Sequence, residues 1–117
     1  MSIRQELEAV FEAYVAAYRR LDAKGCAACF TPDGQLFSPF GHAKGQAAIQ
    51  ALHADWLAEG GETKEMSILD AHQSGNTAWC VAQYSESDSD ERGVSVNILD
   101  RQADGTWRIR VCSLNED

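Results

Sequence analysis

The sequence predicts an α+β fold, with helices gathered near the N-terminus and packed on one face of a mostly antiparallel sheet. Three observations carry this. Apolar residues recur at helical spacing in the first half of the chain, at a period of two from residue 63 onward, and the later segments are joined by short links rich in turn residues. Helices at one end and strands at the other argue against a doubly wound sheet. At 117 residues, 44% of them hydrophobic, the chain reads as a single domain over 1–117 with enough apolar surface for one core.

Residues 3–22 place Ile3, Leu7, Val10, Tyr14, Ala17 and Leu21 on one stripe, widened by Phe11, Val15 and Tyr18, which predicts a long amphipathic helix. Asp22 can cap a second, short helix running through Phe30, and Thr31-Pro32-Asp33-Gly34 then supplies turn chemistry. Residues 35–40 read as a short extended segment, held at an edge or bend by Pro39, and 41–45 as a turn. Ala48, Ile49, Leu52, Trp56 and Leu57 give a third helix over 46–59, ended by Gly60-Gly61. Four strands follow at 63–73, 76–86, 93–102 and 106–114, with tight turns at Gly75-Asn76 and Asp104-Gly105 and a looser acidic link at 85–91. The expected sheet therefore has four to five strands.

With 18 acidic and 10 basic residues the net charge is −8, which opposes binding to nucleic acid or to an anionic membrane. No stretch has the apolar core of a signal peptide or the length to cross a bilayer, so a cytoplasmic location is expected. No phosphate-binding glycine loop, metal-ligand cluster or nucleophile motif is present, and neither a cofactor nor a metal is assigned.

Alternation sorts the strand residues onto two faces. Trp79 and Val81 oppose Cys80, Ala82 and Tyr84; Val94, Val96 and Ile98 oppose Ser95, Asn97 and Leu99; Trp107, Ile109 and Val111 oppose Arg108, Arg110, Cys112 and Leu114. An outer face of Trp, Val and Ile calls for cover, so a homodimer packed sheet against sheet is expected.

Four stretches add a resemblance: Tyr14-Val15-Ala16-Ala17 followed by Asp22, Cys29-Phe30-Thr31-Pro32-Asp33-Gly34, Gly45-Gln46-Ala47-Ala48-Ile49, and Asp104-Gly105-Thr106-Trp107-Arg108-Ile109. In this order and spacing, across residues 3–115, the chain resembles the nuclear transport factor 2-like superfamily, in particular its ketosteroid isomerase and SnoaL-like (polyketide cyclase-like) branches. The resemblance implies a cone-shaped α+β barrel, with three helices over a strongly curved sheet and a deep apolar pocket between them. It does not imply one activity, because the fold hosts isomerases, cyclases, dehydratases, hydrolases and association modules.

Ketosteroid isomerases use a tyrosine and a protonated acid as oxyanion donors and an aspartate as base. The resemblance sets Tyr14 at the tyrosine, Asn97 at the second donor and Ser38 at the aspartate. A hydroxyl and an amide can polarise a carbonyl, but Ser38 has no basicity at neutral pH, so steroid isomerisation as such is not expected. His53, which shares a helix face with Ile49 and Trp56, is either a base coupled to Tyr14 or a buried residue bonded to a carbonyl. Arg110, in alternation with Cys112 and Leu114, either selects a carboxylate or enolate in the pocket or sits on the outer face beside the acidic run. Phe37, Phe40, Trp56, Cys80, Tyr84, Cys112 and Leu114 are expected as pocket walls. The implied function is a pocket for a small apolar or weakly acidic ligand, a carbonyl or carboxylate compound open to isomerase-, cyclase- or lyase-type acid–base chemistry. The alternative is a non-catalytic homodimeric association module.

Cys26 and Cys29 invite a redox or zinc reading, yet neither follows a strand at an exposed helix start, and Cys80 and Cys112 stand alone on separate strands. They are expected to pack as small hydrophobes.

Overall fold

A computed structural model describes residues 1–116. Helix α1 (Ile3–Arg19) starts at a capping box: the Ser2 hydroxyl accepts from the Gln5 amide, and the Gln5 side chain accepts from the Ser2 amide. Its buried stripe is Leu7, Phe11, Tyr14, Ala17 and Tyr18. The helix ends three residues before the predicted stop, because Leu21 takes a left-handed backbone (φ 58°) and swings outward. Asp22 then caps α2 (Ala23–Ala28), accepting from the Gly25 amide at 2.9 Å.

The predicted second helix was too long, since Phe30 opens a strand, β1 (Phe30–Ser38). Thr31-Pro32-Asp33-Gly34 keeps its turn character as a bulge inside that strand, between the pairs Phe30–Ile109 and Gln35–Val111. Residues 41–45 were expected as a turn. Gly41–Lys44 instead forms β2, pairing antiparallel with β1, and Gly45 (φ 88°) starts α3 (Gln46–Leu57). The four later strands fall within a residue or two of expectation: β3 (Lys64–Ser74), β4 (Thr77–Glu86), β5 (Arg92–Arg101) and β6 (Trp107–Glu116).

The sheet therefore has six strands in the order β2-β1-β6-β5-β4-β3, antiparallel except where β1 runs parallel to β6. It curves around the helices without closing, so the barrel of the sequence reading is open, with edges at β2 and β3. Arg110 is unpaired between the pairs Leu99–Ile109 and Ile98–Val111, and this bulge reverses the alternation of β6. Trp107 and Ile109, assigned to the outer face by strict alternation, are core residues, and Cys112 also points inward. The outer face keeps Trp79 and Val96 exposed, with Val81, Val94, Ile98 and Val111 half-buried beside them.

Among the described residues all four cysteines are free thiols, and Cys26, Cys80 and Cys112 are buried. Burial pushes their thiols up, Cys26 and Cys112 to about 12 and Cys80 to about 11, so little thiolate forms near neutral pH.

Gly93 of β5 lies hard against β6. A Cβ built there would overlap the Asn115 carbonyl oxygen and lie 2.7 Å from the Tyr84 hydroxyl oxygen. Backbone cannot yield as a flexible side chain can, so Gly93→Ala should lower the unfolding free energy by about 1–3 kcal/mol in urea denaturation. An unchanged midpoint would mean that these strands lie farther apart.

Candidate functional site

Between α1, α3 and the concave face of the sheet lies a narrow cavity of about 30 Å³, room for a water molecule or two. Its walls are mostly aromatic and aliphatic: Phe11, Tyr14 and Tyr18 from α1, Phe30 and Leu36 from β1, and Trp56 from α3. Phe40, on the turn between β1 and β2, leans toward Trp56 with ring centroids 6.4 Å apart. Tyr18, Phe40, Trp56 and Glu91 also line a wider open groove, so the cavity and the groove are continuous. Asp55, Glu59, Glu86 and Asp88 make the rim of that groove acidic.

The polar groups of the cavity form three sets. In the first, the Tyr14 hydroxyl meets His53 Nε2 at 2.8 Å, and His53 Nδ1 meets the Ile49 carbonyl oxygen at 2.8 Å. A carbonyl can only accept, so Nδ1 carries the hydrogen. Burial pushes His53 down to about 4, against the help of the Ile49 bond, so the ring is neutral near pH 7. Nε2 then holds a lone pair, and Tyr14 donates to it. Burial also raises the Tyr14 hydroxyl well above its usual range, so it stays protonated. The two expectations for His53 are thus combined in one residue: it is bonded to a carbonyl and coupled to Tyr14.

The second set is Asn97 with Ser95. Asn97 is fully buried and donates to the Ser95 hydroxyl at 3.0 Å, while its Oδ1 is buried without a hydrogen-bond partner. Both residues line the cavity. Expected as a second donor, Asn97 here offers an acceptor.

The third set was missed by the sequence reading. Lys64, 6% exposed, opens β3 and lines the cavity. Its ammonium group lies 4.4 Å from the Tyr18 ring centroid and 4.6 Å from that of Tyr84. Its backbone is held in place on both sides: Arg19 Nε donates to the Lys64 carbonyl at 2.7 Å, and the Lys64 amide donates to Gly61. Gly61 passes so close under Tyr18 and Leu57 that a Cβ would come within 3.0 Å of both. Burial lowers the Lys64 amine below the usual lysine range, while Glu86 and Glu91 oppose that shift. Glu86 is itself raised to about 7, chiefly by burial and then by a hydrogen bond with Glu91. The alternation Lys64, Met66, Ile68 along β3 was the available signal, because the two apolar residues define an inward face that Lys64 shares.

Of the expected pocket residues, Tyr14, Asn97, Phe40, Trp56, Tyr84, Cys112 and Leu114 line the cavity, with His53 directly behind Tyr14. Cys80 is buried in the sheet but does not reach the cavity. Three expected residues lie elsewhere. Ser38 sits where β1 turns into β2, its hydroxyl donating to the Gly41 carbonyl and accepting from the Phe40 amide. Phe37 is exposed and stacks on His42 with centroids 4.2 Å apart. Arg110, turned out by its bulge, lies on the outer face, but it pairs with Asp100 at 3.0 Å and not with the acidic run at 86–91.

An open, curved, mostly antiparallel sheet with three helices packed on it is the fold of the nuclear transport factor 2-like class. The SnoaL-like domain model matches residues 11–114, and the chain belongs to that family. Among solved structures, a ketosteroid isomerase-like protein from Erwinia carotovora atroseptica superposes with a TM-score of 0.80 at 20% identity, covering 97% of this chain and 95% of that one. ActVI-ORFA from Streptomyces coelicolor gives 0.74 at 21% identity, covering 99% and 98%. A putative calcium/calmodulin-dependent protein kinase type II association domain from Thiobacillus denitrificans gives 0.80 at 16% identity, covering 94% of each chain. At these identities the likeness is one of fold. No curated protein matches the sequence significantly.

The neutral state of His53 has a measurable cost in acid. A free histidine titrates near 6.5, so between that value and about 4 the unfolded chain takes up a proton that the folded chain refuses. The His53 contribution is therefore complete above roughly pH 6.5 and is lost as the pH falls toward 4, a difference of about 3 kcal/mol in all. Between pH 7 and pH 4.5, urea denaturation should show the wild type losing about 2 kcal/mol more than His53→Gln. Equal losses would mean that His53 is already charged in the folded protein.

Proposed function

We propose that this protein binds a small, neutral, largely apolar carbonyl compound that also bears a hydroxyl or enol group, and that it carries out acid–base chemistry on it. The observation that carries this reading is the orphaned Oδ1 of Asn97, an acceptor enclosed in an apolar cavity beside the Tyr14–His53 pair. A buried acceptor without a partner costs about 1–3 kcal/mol, and a ligand hydroxyl or enol would satisfy it. Tyr14 and His53 form a two-step path for a proton: Tyr14 accepts one from the ligand while passing its own to Nε2. Glu91 and Glu116 also line the cavity, but neither is bonded to Tyr14 or His53, so the Tyr14–His53 pair is the assigned base, and the chemistry is of the isomerase or cyclase type.

The acidic rim favours neutral ligands over the carboxylates also considered from the sequence. The cavity is narrow, so binding requires Phe40, 64% exposed at the mouth, to move aside. A reducing cytoplasm suits the free thiols.

A second reading concerns the outer sheet face. Trp79 and Val96, with the half-buried residues beside them, form a continuous apolar surface on β4 and β5. We assign it to a homodimer packed sheet against sheet. An association module would rely on that face alone, whereas a binding protein uses the face and the cavity together.

Two measurements test these assignments. Neutral hydroxyketones should raise the melting temperature of the wild type, and Tyr14→Phe and Asn97→Ala should each weaken binding by about 2- to 10-fold, the range of one hydrogen bond. Identical shifts in wild type and both variants would remove the ligand from this cavity. In sedimentation at micromolar concentration the wild type should run as a dimer and Val96→Glu as a monomer. A monomeric wild type would overturn the dimer.

A further inference from the structure

Lys64 is buried, lines the cavity and makes no ion pair within 4 Å among the described residues; Glu86, its register partner on β4, and Glu91 act on the amine only from farther away. A structural lysine in a core is ordinarily bonded to a carboxylate, because an unpaired buried ammonium is costly. Here the amine has two tyrosine faces, an apolar cavity in front of it and a carboxyl pair, Glu86 with Glu91, toward the mouth. Its backbone is fixed from both sides by Arg19 and Gly61, so the direction of the side chain is set by the fold.

We infer that Lys64 is a carbonyl-reactive amine, which condenses with a neutral apolar aldehyde or ketone in the cavity to form an imine. This rests on the reading of the cavity as a carbonyl-binding pocket and goes beyond it by naming a covalent step. The Nζ lone pair forms a bond to the carbonyl carbon, and the π electrons move to oxygen. A proton passes from nitrogen to that oxygen, giving a carbinolamine. The carbon–oxygen bond then breaks as a proton from a carboxyl group reaches the hydroxyl, water departs, the nitrogen lone pair forms the double bond to carbon, and the remaining N–H proton returns to the carboxylate. One carbonyl and one amine give one imine and one water, with no change in oxidation state. The free form of the amine is the nucleophile, and desolvation favours that form. Glu86 and Glu91 are placed on the side where water leaves and can supply the proton that goes with it.

The chain has three lysines, and Lys24 and Lys44 are exposed, so they serve as internal controls. The intact protein is incubated at pH 7 with benzaldehyde and sodium cyanoborohydride, and each lysine's benzyl adduct is followed by peptide mass spectrometry. Lys64 should be labelled at least about tenfold faster than Lys24 or Lys44, because the cavity holds the aldehyde beside a desolvated amine. With glyoxylate, an anionic aldehyde, the acidic rim should remove that preference. In Lys64→Arg, which keeps the charge but cannot form an imine, selective labelling should vanish while benzaldehyde still raises the melting temperature. Labelling of Lys64 no faster than of Lys24 and Lys44 overturns the inference. If benzaldehyde nevertheless raises the melting temperature, the pocket reading stands and only the imine falls. If it neither labels Lys64 selectively nor shifts the melting temperature, and neutral hydroxyketones give no shift either, both fall.

Discussion

The hydrogen-bonded chain from Tyr14 through His53 to the Ile49 carbonyl is the constraint on which the site depends. It joins α1 to α3 inside the core, where Tyr18, Phe30 and Trp56 pack edge-on around the imidazole. Each member decides the state of the next. The carbonyl sets the tautomer, burial keeps the ring neutral, and the neutral ring accepts a hydrogen bond from the tyrosine. A residue that is costly to bury is thereby made compatible with the core, and the same arrangement leaves a basic nitrogen one hydrogen bond behind the cavity wall.

Not every polar group in the cavity is satisfied so completely. Asn97 donates one amide hydrogen to Ser95 and leaves its oxygen without a partner, while Lys64 keeps its amine over two rings with no carboxylate within ion-pair distance among the described residues. A domain selected for stability alone gains by replacing such groups with apolar ones of similar shape. Their position on one small cavity, together with the Tyr14–His53 pair, makes that cavity the part of the molecule where stability is given up. The rest of the interior is apolar packing of ordinary kind, including the cysteines of the short second helix.

Much of this was legible in the chain itself. The 3.6-residue stripe of α1, the cap at Asp22 and the period-two runs after residue 63 are local signals, and the elements they predict appear within a few residues of expectation. Tyr14 and Asn97 could be singled out by the family resemblance, and His53 by a helix face otherwise apolar at Ile49 and Trp56. Lys64 carried the same signal on β3 and was passed over, since a lysine at a strand end after a glycine pair reads as solvated. The β2 strand was hidden because a four-residue segment between glycines has turn composition, and only its pairing with β1 makes it a strand.

The sequence by itself determined the class of fold, the order of its elements and the identity of the side chains able to do chemistry, because these follow from local periodicity and residue type. Tertiary structure decided which side chains meet. The single unpaired residue at Arg110 reverses the alternation of β6, turning the arginine out to Asp100 and putting Trp107 and Ile109 on the inward side with Cys112, and no local pattern encodes that shift. It arises because adjacent strands of a curved sheet differ in path length, and one strand takes up the difference with an extra residue. The direction of the Tyr14 proton is likewise a tertiary outcome. It depends on a carbonyl of α3 lying within 2.8 Å of His53 Nδ1, which fixes where the ring's lone pair faces.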